Sequence, residues 1–300
     1  MDLSVPLVNQ DARLGSHQKE KSNAVIAGKA FQSRQELYSK IHIHLCTSGS
    51  ESCGIFIPQN GLSALEMQQS LGIGNYQTSW LCLHKLRKAM IRPGRERLEG
   101  IVEVDEAFIG GEREGRRGRG VDGKVLALVA VEGKSYLDEK TGRKKRLLGR
   151  IRLCEIDDAS GESLLQAIKE NIEPGAVVRT DGWAGYANLE EHGYIHEIQK
   201  PSSKYKSHAM DDMPFDDNEV GDYDSPLPNC HLVISLLKRW ILGTLQGSMG
   251  KDYAQDYFNE FTFRFNRRNS KFRGMLFWRL AQLVVDKQPD TLKNIKNHKI

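Results

Sequence analysis

Apolar positions along the chain follow a strand-like period between residues 100 and 180 and a helical one from residue 227 onward. The stretch Ile101–Gly111, IVEVDEAFIGG, predicts a short β-strand ending in a glycine turn, with Ile101, Val102, Val104 and Phe108 as its apolar residues. Val125–Val131 predicts a buried second strand and Leu147–Ile156 a third. The charged turn DEKTGRKKR between them makes the pair a β-hairpin. Ser160 opens a helix with Leu164, Leu165 and Ile168 on its stripe, and Pro174-Gly175 ends it. Ala176–Arg179 predicts a fourth, short strand that runs directly into Thr180-Asp181-Gly182-Trp183. From Leu227 the segment LPNCHLVISLLKRWILGTLQG reads as a helix burying Leu232, Ile234, Leu236, Leu237 and Ile241, and Leu276–Val285 as a closing amphipathic helix.

Upstream, LSALEMQQSLGI suits a short helix through Leu62, Leu65, Met67 and Leu71, punctuated by Gly72 and Gly74. Thr78–Met90 predicts a second helix with Trp80, Leu83, Leu86 and Met90 on an apolar stripe and His84, Lys85, Arg87 and Lys88 on the rest of its surface. Two short helices, a glycine turn and a basic second helix suggest a helix-turn-helix contacting DNA, and the basic run continues through Arg92, Arg95 and Arg97. Residues 1–58 show no sustained period. His42, His44, Cys46 and Cys53 match no common zinc spacing. The acidic DDMPFDDNEVGDYD within the connection His192–Asp224 reads as a surface excursion near 210–225. It lacks the glycine and terminal glutamate of a calcium loop.

The order strand, strand, strand, helix, strand is the ribonuclease-H-like α/β arrangement. The last strand returns through the helix to lie parallel beside the first, so Asp105 and Asp181 become neighbours despite their separation in sequence. Glu103 and Asp105, two apart, leave the first strand on one side. Facing carboxylates on an apolar strand call for a compensating cation, and hard oxygen ligands select Mg²⁺ or Mn²⁺. His231 and Lys238 are two turns apart and share one helix face.

Composition narrows the class. A chain of 300 residues with 39% hydrophobic content holds one large domain with an appendage, or two domains. The net charge is only +4, but the basic residues cluster, which suits a polyanion. GGEREGRRGRGVDGK is a basic loop just after the first strand. DYAQDYFNEFTFRFNRRNSKFR interleaves aromatics with Arg264, Arg267, Arg268, Lys271 and Arg273, a composition suited to phosphate contact. Five scattered cysteines without a C-x-x-C pair fit a reducing cytoplasm rather than a disulfide framework or zinc ribbon. The sequence predicts no signal peptide, and no apolar run is long enough to span a membrane as a helix.

VEVDEAFIGG, VRTDGWAGY, HLVISLLKRWILGT and EFTFRFNRR, in that order, resemble the bacterial insertion-sequence transposases of the ISXO2-like type, over about Asn60 to Val285. The resemblance implies a DDE-type catalytic domain with two divalent metal ions (Mg²⁺ or Mn²⁺) and cut-and-join chemistry on double-stranded DNA. It also implies a homo-oligomer on the DNA. By position, Asp105 and Asp181 correspond to the first two catalytic acids and Lys238 to the lysine that holds the DNA backbone. His231 stands where the third acid is expected, a DDH-like departure, with Glu260 downstream as a substitute acid. Lys85, Arg87, Lys88, Arg264, Arg267 and Arg268 are the expected DNA contacts. Family members usually begin with a zinc ribbon. Residues 1–58 carry no paired cysteines, which fits a truncated or joined-on start. The implied organisation is a poorly defined segment 1–58, a helix-turn-helix-like segment 59–99, a catalytic domain 100–285 and a tail 286–300. The rival readings are a metal-dependent nuclease of the same fold and a DNA-binding protein whose catalytic core has decayed.

Overall fold

The computed structural model describes residues 61–92, 94–110, 124–137, 144–200, 225–247 and 249–272, and positions 276, 279–280, 282–283 and 295 beyond them. The expectations for residues 1–58, the basic loop at 111–123 and the acidic excursion near 210–225 lie outside the described residues.

Five strands form one mixed sheet: β1 (Ile101–Ile109), β2 (Val125–Leu137), β3 (Lys144–Ile156), β4 (Val177–Thr180) and β5 (Ile195–Ile198). The spatial order is β3-β2-β1-β4-β5. β1, β2 and β3 pair antiparallel in succession, and β4 runs parallel to both β1 and β5. The predicted meander and the return of the fourth strand beside the first are therefore present. The fifth strand, IHEI, falls in what reads from sequence as a connection, because four half-polar residues give too short an alternation to stand out.

Alternation along β2 divides the interior. Val125, Ala127, Val129 and Val131 face one core, and Leu128 and Ala130 face the other. A strand buried on both sides is apolar throughout, which is why LALVAV lacks a polar face. Helix α3 (Gly161–Asn171), capped by the Ser160 hydroxyl on the Ser163 N–H, covers the second face through Leu164, Ala167 and Ile168. The first face is covered by α4 (Pro228–Leu245) and α5 (Ala254–Phe265). α4 presents Cys230, Val233, Ile234, Leu237, Trp240 and Ile241 to this core. Leu232 and Leu236, expected there, are only partly buried. The aromatics of α5 (Tyr257, Phe258, Phe261 and Phe265) lie in the same core rather than at a surface.

Two helices precede the sheet. α1 (Ala64–Ser70) begins in a capping box, with the Ser63 hydroxyl on the Glu66 N–H and the Glu66 carboxylate on the Ser63 N–H. α2 (Tyr76–Ala89) follows the Gly72 turn. They form a third cluster through Leu62, Met67, Cys82, Leu83, Leu86 and Ala89, which Leu280 completes. No described helix is long and apolar enough to cross a membrane.

Candidate active site

Strand alternation sends Glu103 and Asp105 toward α4, on the face where Ala107 and Ile109 join the core. Val102 and Val104 point the other way, into the α3 core. Glu103 is buried and meets the first turn of α4. Its Oε2 accepts the Asn229 N–H at 2.8 Å and the Cys230 N–H at 3.2 Å, and its Oε1 accepts the Asn229 side-chain amide at 2.7 Å. Burial raises the Glu103 pKa, and these hydrogen bonds offset only part of that.

Asp105 is the next residue on that side. Its Oδ1 accepts the Glu106 N–H at 2.9 Å, and its Oδ2 lies 3.3 Å from His231 Nε2, in the first turn of α4. The other ring nitrogen of His231, Nδ1, is 2.7 Å from the Ser225 hydroxyl. The strand aspartate and the helix-start histidine, expected together from the sequence, are therefore brought together. Lys238 is exposed on the same helix, two turns beyond His231.

Asp181 follows the last residue of β4 and is exposed. The parallel ladder pairs Glu103 with Arg179, so its continuation would set Asp105 abreast of Asp181, but the pairing ends at that point. The Asp181 carboxylate is turned into its own loop, where Oδ1 accepts the Trp183 N–H at 3.0 Å. Asp181 is still near enough to be felt. Burial raises the Glu106 pKa, and the charges of Asp105 and Asp181 push it further, against the lowering influence of Tyr186. Glu106 Oε1 and the Tyr186 hydroxyl are both buried, and neither completes a hydrogen bond of normal geometry.

The donor types suit a hard divalent cation, but they are not gathered: Asp105 meets the His231 imidazole, whereas Glu106, with its buried and unpartnered Oε1, leaves β1 on the other side, toward Tyr186. Of Asp105, Asp181 and His231, expected from the sequence to share a metal, the structure brings His231 to Asp105, while Asp181 is held in its own loop. Among the described residues no group of three His, Cys, Asp or Glu side chains lies close enough to hold a metal ion. The hydrogen bond from the Trp183 N–H gives the Asp181 carboxylate a partner of its own.

The basic residues expected to meet DNA are placed differently from the sequence reading. Arg87 is buried, with its Nε 2.7 Å from Glu260 Oε2 and its guanidinium over the Tyr257 ring. Arg264 holds the other oxygen of the same carboxylate at 2.6 Å. Glu260 is therefore the centre of a buried ion cluster between α2 and α5 and not a substitute for the third acid. Burial alone would raise its pKa, but the two guanidiniums outweigh this and lower it. His84 is also buried, with Nδ1 2.9 Å from Asp256. Arg267 lies over Phe263, and Arg268 lies over Phe265 and donates to the Leu148 and Gly149 carbonyls of β3. The alternating aromatic and basic residues of this stretch thus form a helix with a core face and a strapping face. Lys85 and Lys88 are half-buried on α2.

Sequence reasoning missed Ser225, Tyr186 and Glu106, and it missed the partners of Glu103. A signal for Glu103 was present. α4 begins Leu227-Pro228 with no side-chain cap of its own, so its first free N–H groups need an acceptor from elsewhere.

The family described as the ISXO2-like transposase domain matches residues 97–266, more than half of the chain. The match spans all five strands together with α3, α4 and α5. No curated protein matches the chain.

Proposed function

Because the chain belongs to the ISXO2-like transposase family, whose members cleave and join DNA, we propose that it is the transposase of a bacterial insertion sequence. It cleaves the element ends and transfers them to a target by phosphoryl transfer. The observation that carries the site assignment is the 3.3 Å approach of His231 on α4 to Asp105 on the central strand. Two elements remote in sequence meet there, on a five-stranded mixed sheet compatible with a ribonuclease-H-like domain.

Asp105 and Asp181 would hold divalent ions, Mg²⁺ or Mn²⁺, and His231 would assist as a third ligand. When bound, such ions activate the attacking oxygen and stabilise the leaving one. Lys238, exposed two turns along α4, supplies a positive charge for the DNA backbone near the scissile phosphate. Displacement is in line at phosphorus. The bond to the attacking water oxygen forms as the bond to the 3′-oxygen breaks; in the joining step the freed 3′-hydroxyl attacks a target phosphorus, whose own bond to its 3′-oxygen breaks and leaves a target 3′-hydroxyl. The partner is double-stranded DNA, bound by a homo-oligomer in the cytoplasm. The segment 59–99 serves as a helix-turn-helix-like accessory to the catalytic domain 100–285.

The test uses the full chain with labelled DNA carrying the inverted repeats that flank its gene, in Mg²⁺ or Mn²⁺. Cleavage and strand-transfer products are expected from the parent, and neither from folded Asp105→Asn or Asp181→Asn. Parental cleavage by either variant would overturn the site assignment. Cleavage without joined product would make the chain a nuclease of the same fold, and binding without cleavage would make it a decayed DNA-binding protein.

A further inference from the structure

The first turn of α4 begins without help from its own sequence. Leu227 occupies the cap position and offers no side-chain acceptor, and Pro228 has no N–H. The next two N–H groups, of Asn229 and Cys230, both point at Glu103 Oε2, at 2.8 and 3.2 Å. The Asn229 amide adds a third bond, to Oε1, at 2.7 Å. A carboxylate more than a hundred residues away in sequence therefore does the capping. Both Glu103 and Asn229 are buried, so water cannot replace any of these bonds at low cost.

The spacing links this cap to the candidate site. Glu103 and Asp105 are successive residues on one side of β1, about 6.6 Å apart along the strand. Cys230 and His231 are successive residues of α4. One carboxylate fixes the start of the helix, and the next meets the imidazole of the following residue at 3.3 Å. Without the first contact, the polar hold of β1 on α4 falls to the longer Asp105–His231 approach.

We propose that Glu103 is the positioning residue of the active site: by capping α4 at Asn229 and Cys230 it sets the register of that helix on β1 and so places His231 against Asp105. The proposal rests on the reading of Asp105 and His231 as one site. Glu103 touches no reacting atom and acts only through the helix.

The conservative variant is informative. In Glu103→Gln the amide oxygen can accept the two backbone N–H groups. Its NH₂ can donate to Asn229 Oδ1, which is buried and has no partner in the parent, once the Asn229 amide turns over. Glu103→Ala has neither option.

The experiment follows the His231 ring-nitrogen resonances of the full-length protein by NMR, with Asp105→Asn as the reference for a lost contact. Asp105→Asn and Glu103→Ala are both expected to move these resonances, and Glu103→Gln to leave them near the parent. In the cleavage assay Glu103→Ala should lose kcat at least about tenfold with KM for end DNA nearly unchanged, and Glu103→Gln should recover it. Ser160→Ala, which removes the cap of α3 on the other face of the sheet, controls for general destabilisation and should leave kcat alone. If Glu103→Ala does not fold, Glu103→Asp, one methylene short, takes its place with the same expected shift. Unmoved His231 resonances in a folded Glu103 variant that has lost the cap would overturn the proposal. So would resonances unmoved by Asp105→Asn. Because this readout needs no activity, it stands apart from the test of transposition. An inactive protein with the expected resonance shifts would sink the functional reading and leave the positioning role intact.

Discussion

Removing the carboxylate of Glu260 should unseat α2 from the catalytic body. Glu260 is almost fully buried, and it accepts from Arg87 Nε at 2.7 Å and from Arg264 at 2.6 and 2.9 Å. Arg264 retains 11% exposure and can turn outward, but the Arg87 side chain, only 3% exposed, cannot. Glu260→Ala therefore leaves a buried guanidinium without its countercharge, a loss of about 3–5 kcal/mol. For a domain of this size each kcal/mol moves Tm by about 2–4 °C, so the fall should be about 6–20 °C. Replacing both members with apolar side chains of similar volume, Arg87→Met with Glu260→Leu, should restore most of the loss, because no charge is then stranded. Urea unfolding gives the free energies, and hydrogen exchange shows where the damage sits. Amides of α2 should lose protection first, since α2 meets α5 through this cluster and the neighbouring His84–Asp256 contact. A Glu260→Ala protein within about 1 kcal/mol of the parent, with α2 protected as before, would refute the reasoning.

The same cluster predicts acid sensitivity. The pKa of Glu260 is lowered in the fold because Arg87 and Arg264 outweigh the opposing effect of burial, and that of Glu132 on β2 is lowered in the same way by Arg150, 2.8 Å away. Their stabilisation is therefore full above the unfolded carboxyl value of about 4.3 and is lost as pH falls through the lower folded values. Tm should drop steeply below about pH 4.3, and less steeply in Glu260→Ala. An identical acid slope in that variant would count against the cluster. For DNA, a folded Arg87→Met protein should keep the parental slope of log affinity against log salt, whereas Lys85→Ala should flatten it by up to about 0.9. A flattened slope in Arg87→Met alone would mean that Arg87 reaches phosphate after all.

The sequence by itself determined the four-strand core of the sheet. Period-2 runs, a hairpin turn and the return through the α3 helix dictate that β4 lies beside β1, and helical spacing puts His231 and Lys238 on one face of α4. These are local rules, in which each residue's direction follows from its neighbours in the chain. What the charged side chains do was decided only by tertiary structure. Arg87 and Arg264 look like phosphate ligands because a guanidinium serves a carboxylate and a phosphate equally well, and only the approach of α2 to α5 supplies Glu260. Glu103 and Asp105 look alike on the strand, yet one caps a helix and the other meets an imidazole, according to which residue of α4 lies opposite. Asp181 stands one residue past the ladder, where the turn at Trp183 and not the strand sets its direction. A side chain's partner depends on contacts between segments far apart in sequence, and no periodicity along the chain encodes those contacts.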